Sequence, residues 1–266
     1  MGNENFRDRL RDAKIYNPVG DYKMVTEHAS IIDRMYYYGK QRERYLKEAE
    51  FIAQIINETS GGKTYIDAGC GTGIHLKLLR DRGFEVSGFD LRQQMVDVAR
   101  KRNPGVTIIQ GDMRNFPLDG KVHGISTMYG AINYIDTEEG FRKTLRGFSD
   151  HLTNNGVAII DTRYQPNLDE EVRMWTTDSW MLAKRWIKCD GGMDSVYRVF
   201  YAIPDEGVME MEDHRQYFQD PYWIAERMKE EGFVRTKVFD SYDKDKEFDP
   251  TSGSYRSVVV GYKNDK

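Results

Sequence analysis

The chain has 266 residues, 39% hydrophobic and 31% charged, with 39 basic against 43 acidic side chains and a net charge of −4. No run approaches the ~18 apolar residues of a membrane span, and the small acidic excess argues against nucleic acid as a partner. Two cysteines, Cys70 and Cys189, speak against a disulfide framework or a cysteine-based metal site and point to a reducing cytoplasm.

Residues 1–30 are polar and are expected to hold one short helix. The charged start, MGNENFRDRLRDAK, lacks the apolar core of a secretory signal, and Phe6 stands where a myristoylation motif needs Ser or Thr. A helix is predicted over Glu43–Glu58, because Tyr45, Ala49, Ile52, Ile55 and Ile56 recur at helical spacing before Gly61-Gly62. Strands and helices then alternate. Strands are predicted at Lys63–Ala68, Phe84–Phe89, Val106–Gln110, Val122–Met128 and Gly156–Asp161. Helices are predicted at Ile74–Arg82, Arg92–Arg102 and Thr137–Leu152. This rhythm implies an α/β fold with a parallel, doubly wound sheet.

The rhythm breaks after Asp161. Three strand-like runs, WMLAKRWIKCD, SVYRVFYAIPD and VMEMEDHRQYFQD, are separated by Asp-Gly-Gly and Pro-Asp-Glu-Gly turns and predict an inserted antiparallel sheet. A helix over Pro221–Gly232 follows, then strands at Val234–Tyr242 and Tyr255–Tyr262 that return to the core as a terminal hairpin. The expected organisation is an N-terminal helical lid region at 1–60, a core at 61–164 and 221–266, and an inserted subdomain at 165–220. That insertion reads equally as a homodimer surface or as a substrate cover.

YIDAGCGTG, residues 65–73, is the strongest motif. A strand runs into glycines and then a helix, where a doubly wound sheet binds nucleotides. The glycines Gly69, Gly71 and Gly73 are spaced G-x-G-x-G, unlike the G-x-G-x-x-G of dinucleotide sites, because residue 74 is Ile. Asp67, two residues before them, would repel a pyrophosphate and attract a cationic ligand. Asp90, with Leu91 beside it, ends the second strand 19 residues beyond Gly71, where a carboxylate accepts from ribose hydroxyls. Cys70 has no evident partner and reads as a small buried filler.

D-x-G-x-G-x-G resembles motif I of the class I S-adenosylmethionine (SAM) methyltransferases. The resemblance implies a seven-stranded Rossmann-like methyltransferase sheet with SAM as cofactor. It places Asp112 against the adenine amino group, Met113 against the ring, and Met128, Tyr129 and Gly130 along the methionine moiety and toward substrate. The segments YYYGKQRERYLKEAEFIAQII, YIDAGCGTGIHLKLL, ARKRNPGVTIIQGDMRNF and STMYGAINYI look like the dTDP-3-amino-sugar N,N-dimethyltransferases. VYRVFYAIPDEG, EDHRQYF and SYRSVVVGY are similar to that family's inserted sheet and last strand. The resemblance spans roughly residues 30–263.

Carried over residue by residue, Tyr38 matches a lid tyrosine and Tyr45 a tyrosine seven residues on. Tyr134 falls where the family has His or Tyr beside the amino group, and Asp161 replaces a Glu at the end of the fifth strand. His214-Arg215 matches a His-Arg pair, and Arg256 an arginine that helps hold the nucleotide sugar. Asn133 is placed with the substrate residues. Thr162-Arg163 stands where the family has an aromatic pair. The expected reaction is in-line methyl transfer to an amine on a small molecule, with Tyr134, Asp161 and His214 as catalytic candidates. Open alternatives are glycine or sarcosine, a carboxylate or hydroxyl acceptor, and a SAM-binding protein without catalysis.

Overall fold

The computed structural model describes residues 16–17, 22–30, 40–164, 171–189 and 194–264. In chain order it contains β1 (Tyr16–Asn17), α1 (Lys23–Thr26), α2 (Lys40–Thr59), β2 (Thr64–Ala68), α3 (Ile74–Arg80) and β3 (Glu85–Asp90). Next come α4 (Gln93–Arg102), β4 (Thr107–Gln110), β5 (Val122–Thr127), α5 (Glu138–Asp150) and β6 (Leu152–Arg163). The rest is β7 (Arg173–Thr176), β8 (Met181–Lys188), β9 (Asp194–Ile203), β10 (Val208–Tyr217), α6 (Pro221–Glu230), β11 (Arg235–Asp240) and β12 (Arg256–Tyr262).

Seven strands form one sheet in the order β11-β12-β6-β5-β2-β3-β4. β2 to β6 run parallel, and β12 lies antiparallel between β6 and β11. Strand alternation divides the core into two layers. Tyr65, Ile159, Val258 and Val260 pack with Ile52 and Ile56 of α2 and Leu76 and Leu79 of α3. Their sequence neighbours Ile66, Ile160 and Val259 pack on the opposite face with Phe141 and Phe148 of α5 and Ile224 and Met228 of α6. Successive strand side chains point to opposite faces, so a strand apolar at every position needs cover on both.

Local chemistry starts the two helices of the second layer. Thr137 accepts from the Gly140 amide at 3.2 Å at the head of α5. Asp220 accepts from the Tyr222 and Trp223 amides at 2.8 and 3.1 Å, with Pro221 in the first turn of α6. Strand order reverses at β2, with β3 and β4 on one side and β5 on the other. The crevice at the carboxyl ends of β2 and β5 is the topological switch point, where open α/β sheets bind ligands.

The second sheet has the order β1-β10-β9-β8-β7. β7 to β10 are antiparallel neighbours, and β1 joins β10 in parallel. Four strands thus stand where the sequence predicts three. β7 has four residues, and its turn into β8 is built by Thr177, whose hydroxyl accepts from Ser179 and Trp180 amides at 3.3 and 3.2 Å, with no glycine or proline to flag it. The N-terminal region, expected to be helical, also contributes a strand, because the β10 edge offers unpaired backbone groups. β6 starts at Leu152 rather than Gly156, because Val122 of β5 gives that residue a partner. α2 starts at Lys40 rather than Glu43, and α3 ends at Arg80 rather than Arg82.

Candidate active site

At the switch point the chain leaves β2 through Gly69, Gly71 and Gly73, with φ of 78°, 52° and 74°. This left-handed conformation favours glycine. The Gly71 amide donates to Asp90 Oδ2 at 2.8 Å, and the Arg92 amide to Asp90 Oδ1 at 2.9 Å. Burial raises the Asp90 carboxyl pKa, and these two donors oppose the rise. Each carboxylate oxygen keeps a lone pair for a ligand hydroxyl. Gly73 plays a different part from its two neighbours. A Cβ there would lie 2.6 Å from Asn103 Nδ2 and 3.0 Å from Ala99 Cβ, so it lets α3 pack on α4.

Asp67 sits behind this loop, 1% exposed, and neither carboxylate oxygen has a partner among the described residues. Burial pushes its carboxyl up to about 6. A buried carboxylate without a donor is stabilised by a cation. Burial also pushes the Cys70 thiol up, which keeps it protonated and a poor nucleophile.

Two cavities meet at the carboxyl ends of β2 and β5. The first, of about 380 Å³, is walled by Asp90, Leu91, Asp112 and Met113. The Asp112 carboxylate is gripped by Arg114, with Nη2 at 2.6 Å and Nε at 2.9 Å, and this guanidinium holds its pKa below the usual range. The second cavity, of about 260 Å³, runs from Gly69 and Cys70 past Met128, Tyr129 and Tyr45 to Arg173, Tyr255 and Arg256. Gly69, Asp90, Tyr134 and His214 line both.

Arg44, Arg163, Arg173, Lys184 and Arg256 converge on the second cavity. Arg44 is paired with Glu48 at 2.6 Å, and Glu48 also meets His75 Nε2 at 2.8 Å. Arg256 donates to Asp161 Oδ2 at 2.6 Å, and the Tyr242 hydroxyl donates to the same oxygen at 2.9 Å. Arg163 is 6% exposed, and its Nη1, like Nη2 of Arg44, is buried with no partner among the described residues. Burial and the neighbouring arginines 163, 44, 256 and 173 push the Lys184 ammonium down to about 7. Five basic side chains therefore line this cavity beside the acids Asp90 and Glu171.

Where the cavities join, the Tyr134 hydroxyl lies 2.9 Å from His214 Nδ1, and His214 Nε2 lies 3.1 Å from Glu212 Oε2. The Tyr22 ring stacks on His214 with centroids 4.4 Å apart. Tyr134 as a whole is 42% exposed at the cavity wall. Desolvation under the second sheet pushes its phenol up to about 12, so it stays protonated at neutral pH.

The expected site residues fall into three groups. Tyr45, Gly69, Cys70, Gly71, Asp90, Leu91, Asp112, Met113, Met128, Tyr129, Tyr134, His214, Arg215 and Arg256 all line one or both cavities. Asp67, Gly73, Asn133 and Asp161 stand behind the walls. Asn133, placed with the substrate by sequence, is 1% exposed and donates to Thr162 Oγ1 at 3.1 Å and the Tyr217 carbonyl at 3.4 Å, tying the loop after β5 to β10. Asp161 serves Arg256 and Tyr242 rather than facing the cavity. Tyr38 lies outside the described residues. Sequence reasoning missed Tyr22, Arg44, Lys184 and Glu212. Glu212 alone carried a legible signal: two residues before His214 on one strand, it shares that residue's face.

A methyltransferase-domain family model matches residues 66–156. The chain is 30% identical over 189 residues to a dTDP-3-amino-3,4,6-trideoxy-alpha-D-glucopyranose N,N-dimethyltransferase of Streptomyces venezuelae, covering 71% of this chain and 75% of that one. It is 28% identical over 149 residues to a dTDP-3-amino-3,6-dideoxy-alpha-D-glucopyranose N,N-dimethyltransferase of Streptomyces fradiae, covering 56% and 57%. Among solved structures, Streptomyces venezuelae DesVI superposes with a TM-score of 0.72 at 23% identity, over 88% of this chain and 97% of that one. A SAM-bound amino pentose methyltransferase from Micromonospora echinaspora superposes with a TM-score of 0.70 at 21% identity, over 90% and 96%. At these identities the superpositions speak for the fold.

Proposed function

The chain belongs to the SAM-dependent methyltransferases of the amino-sugar N,N-dimethyltransferase type, and from that premise we propose that it methylates the amine of a nucleotide-linked amino sugar. The observation that carries the reading is the joining of the two cavities. A glycine-and-carboxylate half suited to a nucleoside meets a cation-lined half suited to a phosphorylated acceptor, with Tyr134 and His214 at the junction.

The residues present fit the cofactor. Asp67, whose carboxylate oxygens have no partner among the described residues, sets a buried negative charge behind the glycine loop for a cation, Asp90 offers lone pairs to ribose hydroxyls, and the left-handed glycines allow close approach. Gly69, Gly71, Asp90, Leu91, Asp112, Met113 and Met128 would hold it. When bound, SAM supplies an activated methyl group on a sulfonium.

The chain's own residues must then align the acceptor and keep its nitrogen neutral. Alignment of two bound reactants lowers a barrier by about 7–11 kcal/mol. The cations Arg44, Arg163 and Arg256 disfavour an ammonium in the same cavity, which lowers its pKa. The same charges attract an acceptor's phosphates, and Arg163 presents for one an N–H that has no partner among the described residues. The Tyr134 hydroxyl, hydrogen-bonded to His214 Nδ1, has lone pairs to accept an N–H from the amine. The reach of the cavity to Arg256, Arg173 and Tyr255 favours a nucleotide sugar over glycine or sarcosine, which would leave its far end unfilled.

The experiment is incubation with SAM and a panel of a dTDP-3-amino sugar, glycine and sarcosine, read by S-adenosylhomocysteine formation. Product with the sugar nucleotide supports the reading; turnover of glycine or sarcosine alone would replace it.

A further inference from the structure

We propose that Glu212 is a positioning residue for methyl transfer, fixing the His214 tautomer through which Tyr134 passes on the acceptor's proton. The inference rests on the amine-methylating reading above.

Glu212 is fully buried, and an ionised carboxylate only accepts hydrogen bonds. Its Oε1 accepts from the Tyr201 hydroxyl at 2.8 Å and from the Met24 amide at 2.5 Å. Its Oε2 is left for His214 Nε2 at 3.1 Å. Nε2 therefore carries the ring proton, and Nδ1 is left as an acceptor for the Tyr134 hydroxyl. The opposite tautomer would set a lone pair against the Glu212 carboxylate. Register puts Glu212 and His214 on one face of β10, opposite Val199 and Tyr197 of β9.

The remaining neighbours of the ring leave this arrangement to Glu212. Tyr22 stacks on it from the N-terminal segment, and Tyr197 approaches from β9 with centroids 6.0 Å apart. Arg92 lies 5.7 Å beyond the Tyr22 ring, and Arg163 acts on Tyr134 from the other side. The Met24 amide and Tyr22 ring show that residues 22–24 seat on the same Glu–His pair.

The proton balance is simple. One proton leaves the acceptor ammonium for the Tyr134 oxygen while the Tyr134 proton moves to His214 Nδ1. The freed nitrogen lone pair would form the new N–C bond as the methyl's bond to the donor sulfur breaks, the sulfur keeping that electron pair as a neutral thioether. The resulting imidazolium faces the Glu212 carboxylate. After release of product the reverse shift hands the proton to solvent in the cavity. Each methyl added to a neutral amine yields an ammonium, so a second transfer needs the relay again.

The test is Glu212→Gln. Its carboxamide donates to the ring and so selects the Nδ1–H tautomer. The kcat should fall roughly 100-fold, the scale of proton-transfer assistance, while the Kd for SAM stays within about twofold. E212Q combined with H214N should be no slower than H214N alone. Nitrogen-15 NMR of labelled histidine should show Nε2–H in the native protein and Nδ1–H in E212Q, with no substrate present. Unchanged kcat, additive losses in the double variant, or a native Nδ1–H tautomer would each overturn the proposal. If the native enzyme turns over no amine, the methylation reading falls, and the tautomer measurement still decides the Glu212 assignment.

Discussion

The Tyr134 hydroxyl and His214 Nδ1 are 2.9 Å apart across the seam between the two sheets, although 80 residues separate them in the chain. Tyr134 comes from the loop after β5 and His214 from β10 of the second sheet. Two residues that read as independent catalytic candidates in the sequence are one hydrogen-bonded unit at the junction of the cavities.

Tyr134→Phe removes that unit's hydroxyl and little of its packing. Turnover should fall by about 10²-fold, the lower end of acid–base assistance. SAM affinity should hold within about twofold. Steady-state rates and titration calorimetry on one preparation separate the two, and equal losses would move Tyr134 into the cofactor site.

Asp90→Ala removes the acceptor for the Gly71 and Arg92 amides as well as the expected ribose contact. Hydrogen bonds to a charged group are worth about 1.5–3 kcal/mol each, so SAM affinity should drop by about 100-fold or more. Calorimetric titration showing unchanged affinity would remove Asp90 from the cofactor site.

The Asp67 carboxyl, pushed up to about 6 by burial, makes cofactor affinity depend on pH. A bound cation favours the ionised form, so SAM should bind more tightly as pH rises and release a proton on binding near pH 6. Between pH 7 and pH 5 the affinity should weaken by roughly tenfold, one pKa unit below the group's midpoint. The same raised pKa means that Asp67 stabilises the unliganded fold less as pH rises through about 4 to 6. Asp67→Asn should flatten the binding profile, which titrations at several pH values would read.

Arg163→Met keeps an unbranched stem and removes a buried cation whose Nη1 has no partner among the described residues. Replacing an uncompensated buried charge relieves desolvation, so the melting temperature should rise or hold. KM for the phosphorylated acceptor should increase by about 10- to 100-fold, the loss of one charged hydrogen bond at about 1.5–3 kcal/mol. A lowered melting temperature with unchanged KM would assign Arg163 to packing on Trp186 instead, whose ring lies 5.0 Å from it.

Much of the first cavity's wall was legible in the chain itself. Gly69, Gly71 and Asp90 sit at strand ends that periodicity marks, and the loop they form is local enough for spacing to reveal it. Gly73 was grouped with them by spacing, but its neighbours are Asn103 and Ala99 rather than the cavity. Asn133 was misplaced for a similar reason, since its amide reaches a carbonyl 84 residues away. The short strand β7 escaped because its turn is made by a threonine hydroxyl rather than by glycine or proline.

What the amino-acid order alone determined is the alternating α/β core, the glycine turn and the carboxylates at the tips of β2 to β4, because backbone preference and side-chain period act over a few residues. Which charges oppose one another was decided only by the folded arrangement. Arg44 and Arg256 meet Glu48 and Asp161, and Arg163 Nη1 is left without a partner among the described residues, through crossings of α2, β6 and β12 that no local spacing encodes. The Glu212–His214–Tyr134 chain likewise exists because the second sheet is packed over the switch point, which sets a β10 side chain against a loop of the core.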